Sequence, residues 1–389
     1  MVIMSRSPSF SRYLEALLRK DLGKKMVFLG GPRQCGKTHL GKRLLGTVPG
    51  AYLNWDSDDD RQKILSKQWN ADAPVVVLDE LHKFHRWKNW IKGIYDTRKG
   101  AQTFLVTGSA RLDVYKKGGD SLLGRYHYWR LHPFTLSEHP PEFTPSQAFE
   151  RLMRVGGFPE PFLHGDETEA KRWRRERFDR VIREDLRDLE PIKNIAALEL
   201  FVRALRERVG SQVVLSNIAA DLQVAPKTLK HWLEILERMY LVFVVRPYTK
   251  GLGRALQKSP KVFFFDNGDV LGDEGARFEN LVATSLLKEL HFLEDSTGDR
   301  YELHYIRDKE KREVDFAITR DGSPIALIEA KWGDATPSEN LRYYAGRLGL
   351  TAVHQIVGRM EHPIQSGVVR ISPATSGLSA EGLRQILVP

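Results

Sequence analysis

An α/β fold is predicted for this 389-residue chain, with a parallel sheet first, a helical middle and a second α/β region last. Three observations predict it. Short apolar runs alternate with helix-forming stretches over the first third. Helix formers dominate from Ser146 to Met239. Strand-like runs then return after Lys261. Strand and helix in strict alternation build a parallel sheet with helices on its faces.

Arg12 to Asp21 carries helical periodicity and stops near Gly23. Met26-Val-Phe-Leu29 is a short apolar run leading into glycines, which predicts a buried strand. Further strands are expected at Ala51–Trp55, at Val75–Leu78 after Pro74, and at Gln102–Val106. His139-Pro-Pro141, with Pro145 close behind, is a natural hinge and closes a first domain at residues 1–140. Helix formers run from Ser146 to about Glu190, interrupted by Gly156-Gly-Phe-Pro159. Ser211–Ala220 and Lys227–Met239 resemble two helices joined by a turn, with a strand following at Leu241–Val245. Two helices, a turn and a strand suit a winged helix-turn-helix, which either binds DNA or serves as a protein-packing unit. Both roles stay open for this second domain, residues 141–250. Gly251 and Gly253 mark the junction to a third, residues 251–389. It is expected to hold an apolar run at Lys261–Asp266, a helix from about Ala276 to Leu290, and strands at Tyr301–Arg307, Glu313–Thr319 and Pro324–Ala330.

Hydrophobic residues at 41% and charged residues at 28% are globular proportions. No apolar stretch approaches the roughly 18 residues of a membrane-spanning helix, and the N-terminus lacks a signal-peptide core. The one cysteine, Cys35, excludes an intramolecular disulfide. A cytoplasmic location without a membrane partner is therefore expected. Lysine and arginine outnumber acids 60 to 50, for a net charge of +10, which favours a polyanion such as DNA. Basic residues cluster at Lys171–Arg177 and Arg203–Arg208, as solvated helix faces or as a phosphate-tracking surface. His82, His85, His127, His132 and His139 lack metal-ligand spacing, so no zinc site is expected.

Gly31-Pro32-Arg33-Gln34-Cys35-Gly36-Lys37-Thr38, followed by His39, matches G-x-x-x-x-G-K-[ST] at every fixed position, between a strand and a helix. Glycines let the backbone wrap a phosphate so that amide N–H groups point inward at a helix N-terminus. Lys37 reaches the outer phosphates and Thr38 places a hydroxyl on Mg²⁺. Val75-Val-Val-Leu-Asp-Glu80 ends an apolar strand in two carboxylates. Asp79 can hold the Mg²⁺ and Glu80 can polarise the attacking water. ATP hydrolysis with Mg²⁺ is the expected chemistry. In Phe104-Leu-Val-Thr-Gly-Ser-Ala110, Ser109 contacts the γ-phosphate or the water, or else sits in an ordinary turn. Arg125, in Ser121-Leu-Leu-Gly-Arg125, is an arginine finger for a neighbouring subunit or a structural ion-pair partner.

Taken in order, the P-loop, Leu78-Asp-Glu-Leu81 with Trp87 after it, Thr107-Gly-Ser109, Leu123-Gly-Arg125 and Gly156-Gly-Phe-Pro-Glu160 resemble the prokaryotic AAA-type ATPases that carry a C-terminal domain of the DUF4143 family. The resemblance spans nearly the whole chain. It implies an ATPase core, a helical and winged-helix-like middle, and a last domain akin to the PD-(D/E)XK nuclease fold. It also implies a homo-oligomeric ring or partial ring, with Arg125 acting across an interface. Cys35 stands where a small aliphatic residue is more usual in the family.

The last region can also be read from its residues. Glu329 and Lys331 lie two apart on one strand, hence on one face. Asp315 on the preceding strand can join them if the two pair, and Glu279 on the helix can complete the set. Such carboxylates would hold a second Mg²⁺ or a Mn²⁺, with lysine positioning water. Val314 stands in place of the nuclease motif's proline.

Three functions follow from this reading. The first is an ATPase remodelling or translocating on duplex or branched DNA. The second is an ATP-regulated metal-dependent nuclease. The third is a nucleotide switch that binds a protein.

Overall fold

In the computed structural model, residues 10–46, 49–98, 100, 102–108, 122–185, 194–249 and 259–387 are described. Contacts divide the chain into two units, Met1–His132 and Pro133–Pro389.

The first unit holds strands β1 (Met26–Gly30), β2 (Gly50–Asn54), β3 (Val75–Asp79), β4 (Thr103–Thr107) and β5 (Tyr126–Arg130). With them come helices α1 (Glu15–Leu22), α2 (Lys37–Leu45), α3 (Asp58–Ser66) and α4 (Trp87–Arg98). The strands pair in parallel throughout, in the order β2-β3-β4-β1-β5. All of β1 is buried, as are the last four residues of β3 and of β4. Burial on both faces is why these strands read as continuous apolar runs. Phe28 on β1 stacks on Tyr126 with centroids 4.3 Å apart and meets Trp87 edge-on at 5.4 Å. Trp87 and Tyr95 are core residues and Trp90 packs against them, so this aromatic group builds α4 onto the sheet.

The order of the strands matters for the site. β4 lies between β1 and β3. The P-loop after β1 and the carboxylates after β3 therefore flank the end of β4, where Thr107 sits.

The second unit begins with α5 (Pro145–Val155), α6 (Pro159–His164) and α7 (Glu167–Arg180). The proline-rich hinge closes into a capping box on α5, in which Thr144 and Gln147 bond each other's backbone N–H groups, with Pro145 in the first turn. Next come α8 (Ile195–Arg206), α9 (Leu215–Asp221), α10 (Pro226–Arg238), β6 (Val242–Pro247) and β7 (Lys261–Phe264). Then follow α11 (Glu274–Thr297), β8 (Tyr301–Arg307), β9 (Glu313–Arg320), β10 (Ser323–Lys331) and α12 (Glu339–Leu348). The unit ends with β11 (Val353–Val357), β12 (Ile364–Ser366), β13 (Val369–Pro373), α13 (Ala374–Gly377) and α14 (Ala380–Leu387).

Its eight strands form one mixed sheet, β12-β13-β11-β10-β9-β8-β6-β7. The division expected near residue 250 falls inside this sheet. The antiparallel pair β6–β7 that follows the two helices α9 and α10 joins it through a parallel contact of Arg246 and Pro247 with β8.

The Gly-Gly-Phe-Pro stretch has a steric origin. Gly156 has φ +82, and a Cβ there would stand 2.0 Å from Asp266 Oδ1. A Cβ on Gly157 would meet the carbonyl oxygen of Phe134 at 2.3 Å. Asp266 is fully buried and accepts a hydrogen bond from Arg174 Nε at 3.0 Å. Asp269 is paired with Arg206 at 2.5 Å and with Arg177 at 3.6 Å. The two basic runs are thus split by their helices. Arg174, Arg177 and Arg206 turn inward to these aspartates, while Lys171, Arg172 and Arg175 remain exposed.

Candidate functional site

The P-loop is held open by its backbone. Gly31, Gln34 and Gly36 have φ values of 142, 64 and 101, and Gly36 is the residue before α2. A Cβ on Gly31 would lie 2.2 Å from the carbonyl oxygen of Leu131, so only glycine fits there. Cys35 is buried, with Sγ 3.5 Å from the same carbonyl, which makes it a packing residue. Arg12 was not singled out by sequence. Its guanidinium donates to Cys35 O at 3.0 Å and to His132 O at 2.6 Å, fastening the loop from outside. Lys37 is 5% exposed and donates from Nζ to the loop's own Gly31 O at 3.0 Å and Pro32 O at 2.6 Å. His39 lies on the first turn of α2, where partial desolvation and the charges of Arg43 and Arg12 depress its pKa.

Asp79 is 2% exposed at the end of β3. Its carboxylate gathers three hydroxyls. Thr38 Oγ1 donates at 2.7 Å, Tyr52 OH donates at 2.7 Å, and Thr107 Oγ1 donates to the other oxygen. Thr38 and Asp79 were expected together. Tyr52 and Thr107 were not assigned roles, because nothing in an isolated run shows that β2 and β4 flank β3. Tyr52→Phe removes one of Asp79's three donors without changing the packing of the ring.

Glu80 follows in the left-handed region at φ 56. One of its oxygens, Oε2, is buried without a hydrogen-bond partner. Burial raises its pKa, and the ammonium groups of Lys37 and Lys83 oppose that rise. A non-glycine residue in this region is uncommon and clusters at functional positions. Glu80 Oε2 lies 3.7 Å from His82 Nδ1 and 3.9 Å from Lys83 Nζ, ion-pair distances that leave it free to accept a hydrogen bond from a water molecule. Arg125 forms a two-point contact with Asp96 on α4, Nε to Oδ1 at 2.8 Å and Nη2 to Oδ2 at 3.2 Å. Ser109 lies outside the described residues.

The C-terminal set also comes together, with two additions. Asp315 Oδ2 accepts from the Ala330 backbone N–H at 3.0 Å, which ties β9 to β10 beside Glu329. Lys331 Nζ pairs with Glu329 at 2.9 Å. Burial and the negative charge of Asp315 push Glu329 up to about 7 and Glu279 up to about 8. The additions are Lys261 and Glu313. Lys261 is 1% exposed and its Nζ lies 2.7 Å from Glu313, 3.1 Å from Glu279 and 3.6 Å from Asp315. Glu313 also receives Arg307 at 2.6 Å. An ammonium thus sits among the carboxylates that were expected to hold a second metal. Among the described residues, no three acidic, histidine or cysteine side chains are grouped so as to hold a metal ion. The residues do not fit a second Mg²⁺ or Mn²⁺ at that position.

Residues 23–139 match the family described as AAA domain, which covers the parallel sheet and the P-loop. Residues 146–270 and 274–365 match two domains of unknown function, DUF8612 and DUF4143. An uncharacterized protein of Mycobacterium tuberculosis is 23% identical over 403 residues, spanning 99% of this chain and 87% of its own length. Uncharacterized proteins of Haemophilus influenzae and Methanocaldococcus jannaschii are 24% and 22% identical, over 77% and 84% of this chain. The solved structure of Bacteroides Pif1 bound to ssDNA overlaps 40% of this chain at 12% identity and a TM-score of 0.21, too slight an overlap to bear on fold or function. The first unit therefore contains an AAA domain with a P-loop.

Proposed function

We propose that the chain hydrolyses ATP with Mg²⁺ and couples turnover to binding and remodelling of DNA, working as a homo-oligomer. The observation that carries the ATPase reading is the carboxylate of Asp79 hydrogen-bonded to Thr38 at the mouth of the P-loop, with a Glu80 oxygen that makes no hydrogen bond one residue on. Thr38 and Asp79 would hold Mg²⁺, which would supply positive charge against the outer phosphates. The amides from Gly31 to Thr38 would bind those phosphates at the start of α2. Lys37 would exchange the carbonyls of Gly31 and Pro32 for phosphate oxygens. Glu80 would orient and deprotonate the water.

The DNA reading rests on charge and on the second unit. The net charge is +10. Helices α9 and α10 form a helix pair followed by the β6–β7 hairpin, and Lys227 and Lys230 are exposed on α10. The sequence joining the hairpin's strands carries Lys250, Arg254 and Lys258. In the oligomeric reading Arg125 leaves Asp96 to reach a neighbour's nucleotide.

The test is ATP turnover with and without duplex, single-stranded and four-way-junction DNA, alongside DNA affinity across a salt series. One DNA form is expected to stimulate turnover. Affinity should fall steeply with salt, and Lys227→Glu/Lys230→Glu should weaken it about tenfold or more with a shallower salt slope. Turnover indifferent to every DNA, with no salt-sensitive binding, would move the assignment to a nucleotide switch for a protein partner. Among the described residues no helix is long and apolar enough to cross a membrane.

A further inference from the structure

We infer that the ammonium of Lys261 is the built-in cation of the Glu279, Glu313 and Asp315 carboxylates, filling the position where a nuclease-like site would carry a divalent metal. The first support is geometric. Nζ lies 2.7–3.6 Å from one oxygen of each of the three acids. The side chain is 1% exposed, so it does not exchange freely with solvent.

The second support is how the lysine is anchored. Lys261 opens β7, where it pairs with Val245 of β6 and forms an isolated bridge with Gln212. Two residues earlier, Ser259 O accepts the hydroxyl of Tyr305 at 2.6 Å, and that hydroxyl accepts Gln212 Nε2 at 2.8 Å. The Tyr305 ring lies under the ammonium, 5.7 Å away. Both sides of the stem are thereby fixed by backbone and aromatic contacts.

The third support is charge balance. Glu313 is shared with Arg307 and Glu329 is paired with Lys331. A buried carboxylate group is tolerable only when paired, and here cations of the chain itself supply the pairing. A divalent ion entering among Glu279, Glu313 and Asp315 would stand within contact distance of a fixed ammonium, and like charges that close repel strongly in a dry site. On this basis the acidic set is a lock that fastens the loop end of the β6–β7 hairpin to β9 and α11. It is not a metal centre.

The test is Mn²⁺ binding to the full-length chain without nucleotide, followed by the loss of the free-ion electron paramagnetic resonance signal. The chains compared are wild type, Asp315→Asn, Lys261→Met and Lys261→Met/Asp315→Asn. Wild type and Asp315→Asn are expected to bind Mn²⁺ equally weakly. Lys261→Met is expected to gain one site, at least about tenfold tighter, because Glu279, Glu313 and Asp315 then lack their cation. The double variant should lose that site. Thermal melting gives a second reading: Mn²⁺ should raise the melting temperature of Lys261→Met and leave that of wild type unchanged. Wild-type Mn²⁺ binding, or Mn²⁺-dependent DNA cutting, that disappears in Asp315→Asn would overturn the inference. So would a folded Lys261→Met that binds no better than wild type. Should Lys261→Met not fold, Lys261→Gln takes its place, and the wild-type against Asp315→Asn comparison still decides. No arm depends on ATP, so this result and the ATPase assignment stand or fall separately.

Discussion

Lys37→Ala is expected to lower ATP turnover at least about a hundredfold and to weaken nucleotide binding as well. Lys37 Nζ is held by Gly31 O and Pro32 O, inside the loop it is to serve. Those two bonds place the charge within a short swing of the phosphate position, so little reorganisation is needed on binding. Alanine removes the one ammonium of the P-loop and leaves amide N–H groups alone to face the outer phosphates. Glu80→Gln should separate the two roles. It keeps shape and removes the base, so turnover should fall by about 10²–10⁴ while nucleotide affinity is kept. Phosphate release and a fluorescent-nucleotide titration measure both. Wild-type turnover in Glu80→Gln would remove Glu80 from the chemistry.

Gly156→Ala is expected to destabilise the second unit strongly. The residue sits at φ +82, where alanine is strained, and its new Cβ would be 2.0 Å from Asp266 Oδ1 and 3.3 Å from the backbone nitrogen of Gly268. Asp266 cannot easily yield, because it is fully buried and bonded to Arg174. Burial works to raise its carboxyl pKa while Arg174 works to keep it ionised. Displacing it weakens the ion pair that ties α7 to the turn after β7. Together the strain and the broken pair should cost about 2–4 kcal/mol, read as an earlier urea or thermal transition. Gly93→Ala is the matched control. It lies in α4, exposed, with nothing within 4 Å of an added Cβ. It should be neutral or stabilise by up to about 1 kcal/mol. Equal effects of the two substitutions would show that the close approach at Gly156 carries no energy.

The strands that read clearly in the sequence were those buried on both faces or flanked by turn residues. The runs at Val75, Tyr301, Glu313 and Pro324 fall within two residues of β3, β8, β9 and β10. β5 and β11 did not announce themselves. β5 is an edge strand, only partly buried, written Tyr-His-Tyr-Trp-Arg. β11 is buried throughout yet contains His354 and Gln355. Gln355 satisfies its amide internally by donating to Asp334 O and Thr336 O. Burial and the neighbouring Arg370 push the His354 ring down to about 4, so it is neutral and compatible with the core. Polar residues satisfied this way carry no periodic signature.

The site shows the same division. Lys37, Thr38, Asp79 and Glu80 are fixed by short motifs, whereas Arg12 and Tyr52 reach the P-loop and Asp79 from elsewhere in the chain. Lys261 looked like the polar start of an apolar run. Its partners at 279, 313 and 315 lie 18 to 54 residues away, and only the strand order reveals them.

The same strand order governs how the polypeptide can assemble as it leaves the ribosome. The first unit pairs its five strands within residues 26–130 and can complete its sheet early. β6 has its non-hairpin neighbour in β8, more than fifty residues later, and the sheet continues outward to β13 near the end of the chain. Until that stretch has been synthesised, the β6–β7 hairpin presents an open strand edge and Lys261 lacks two of its three acids. Such an edge is a pairing hazard. Between the emergence of residue 264 and that of residue 307 the free edge of β6 is therefore open to mispairing.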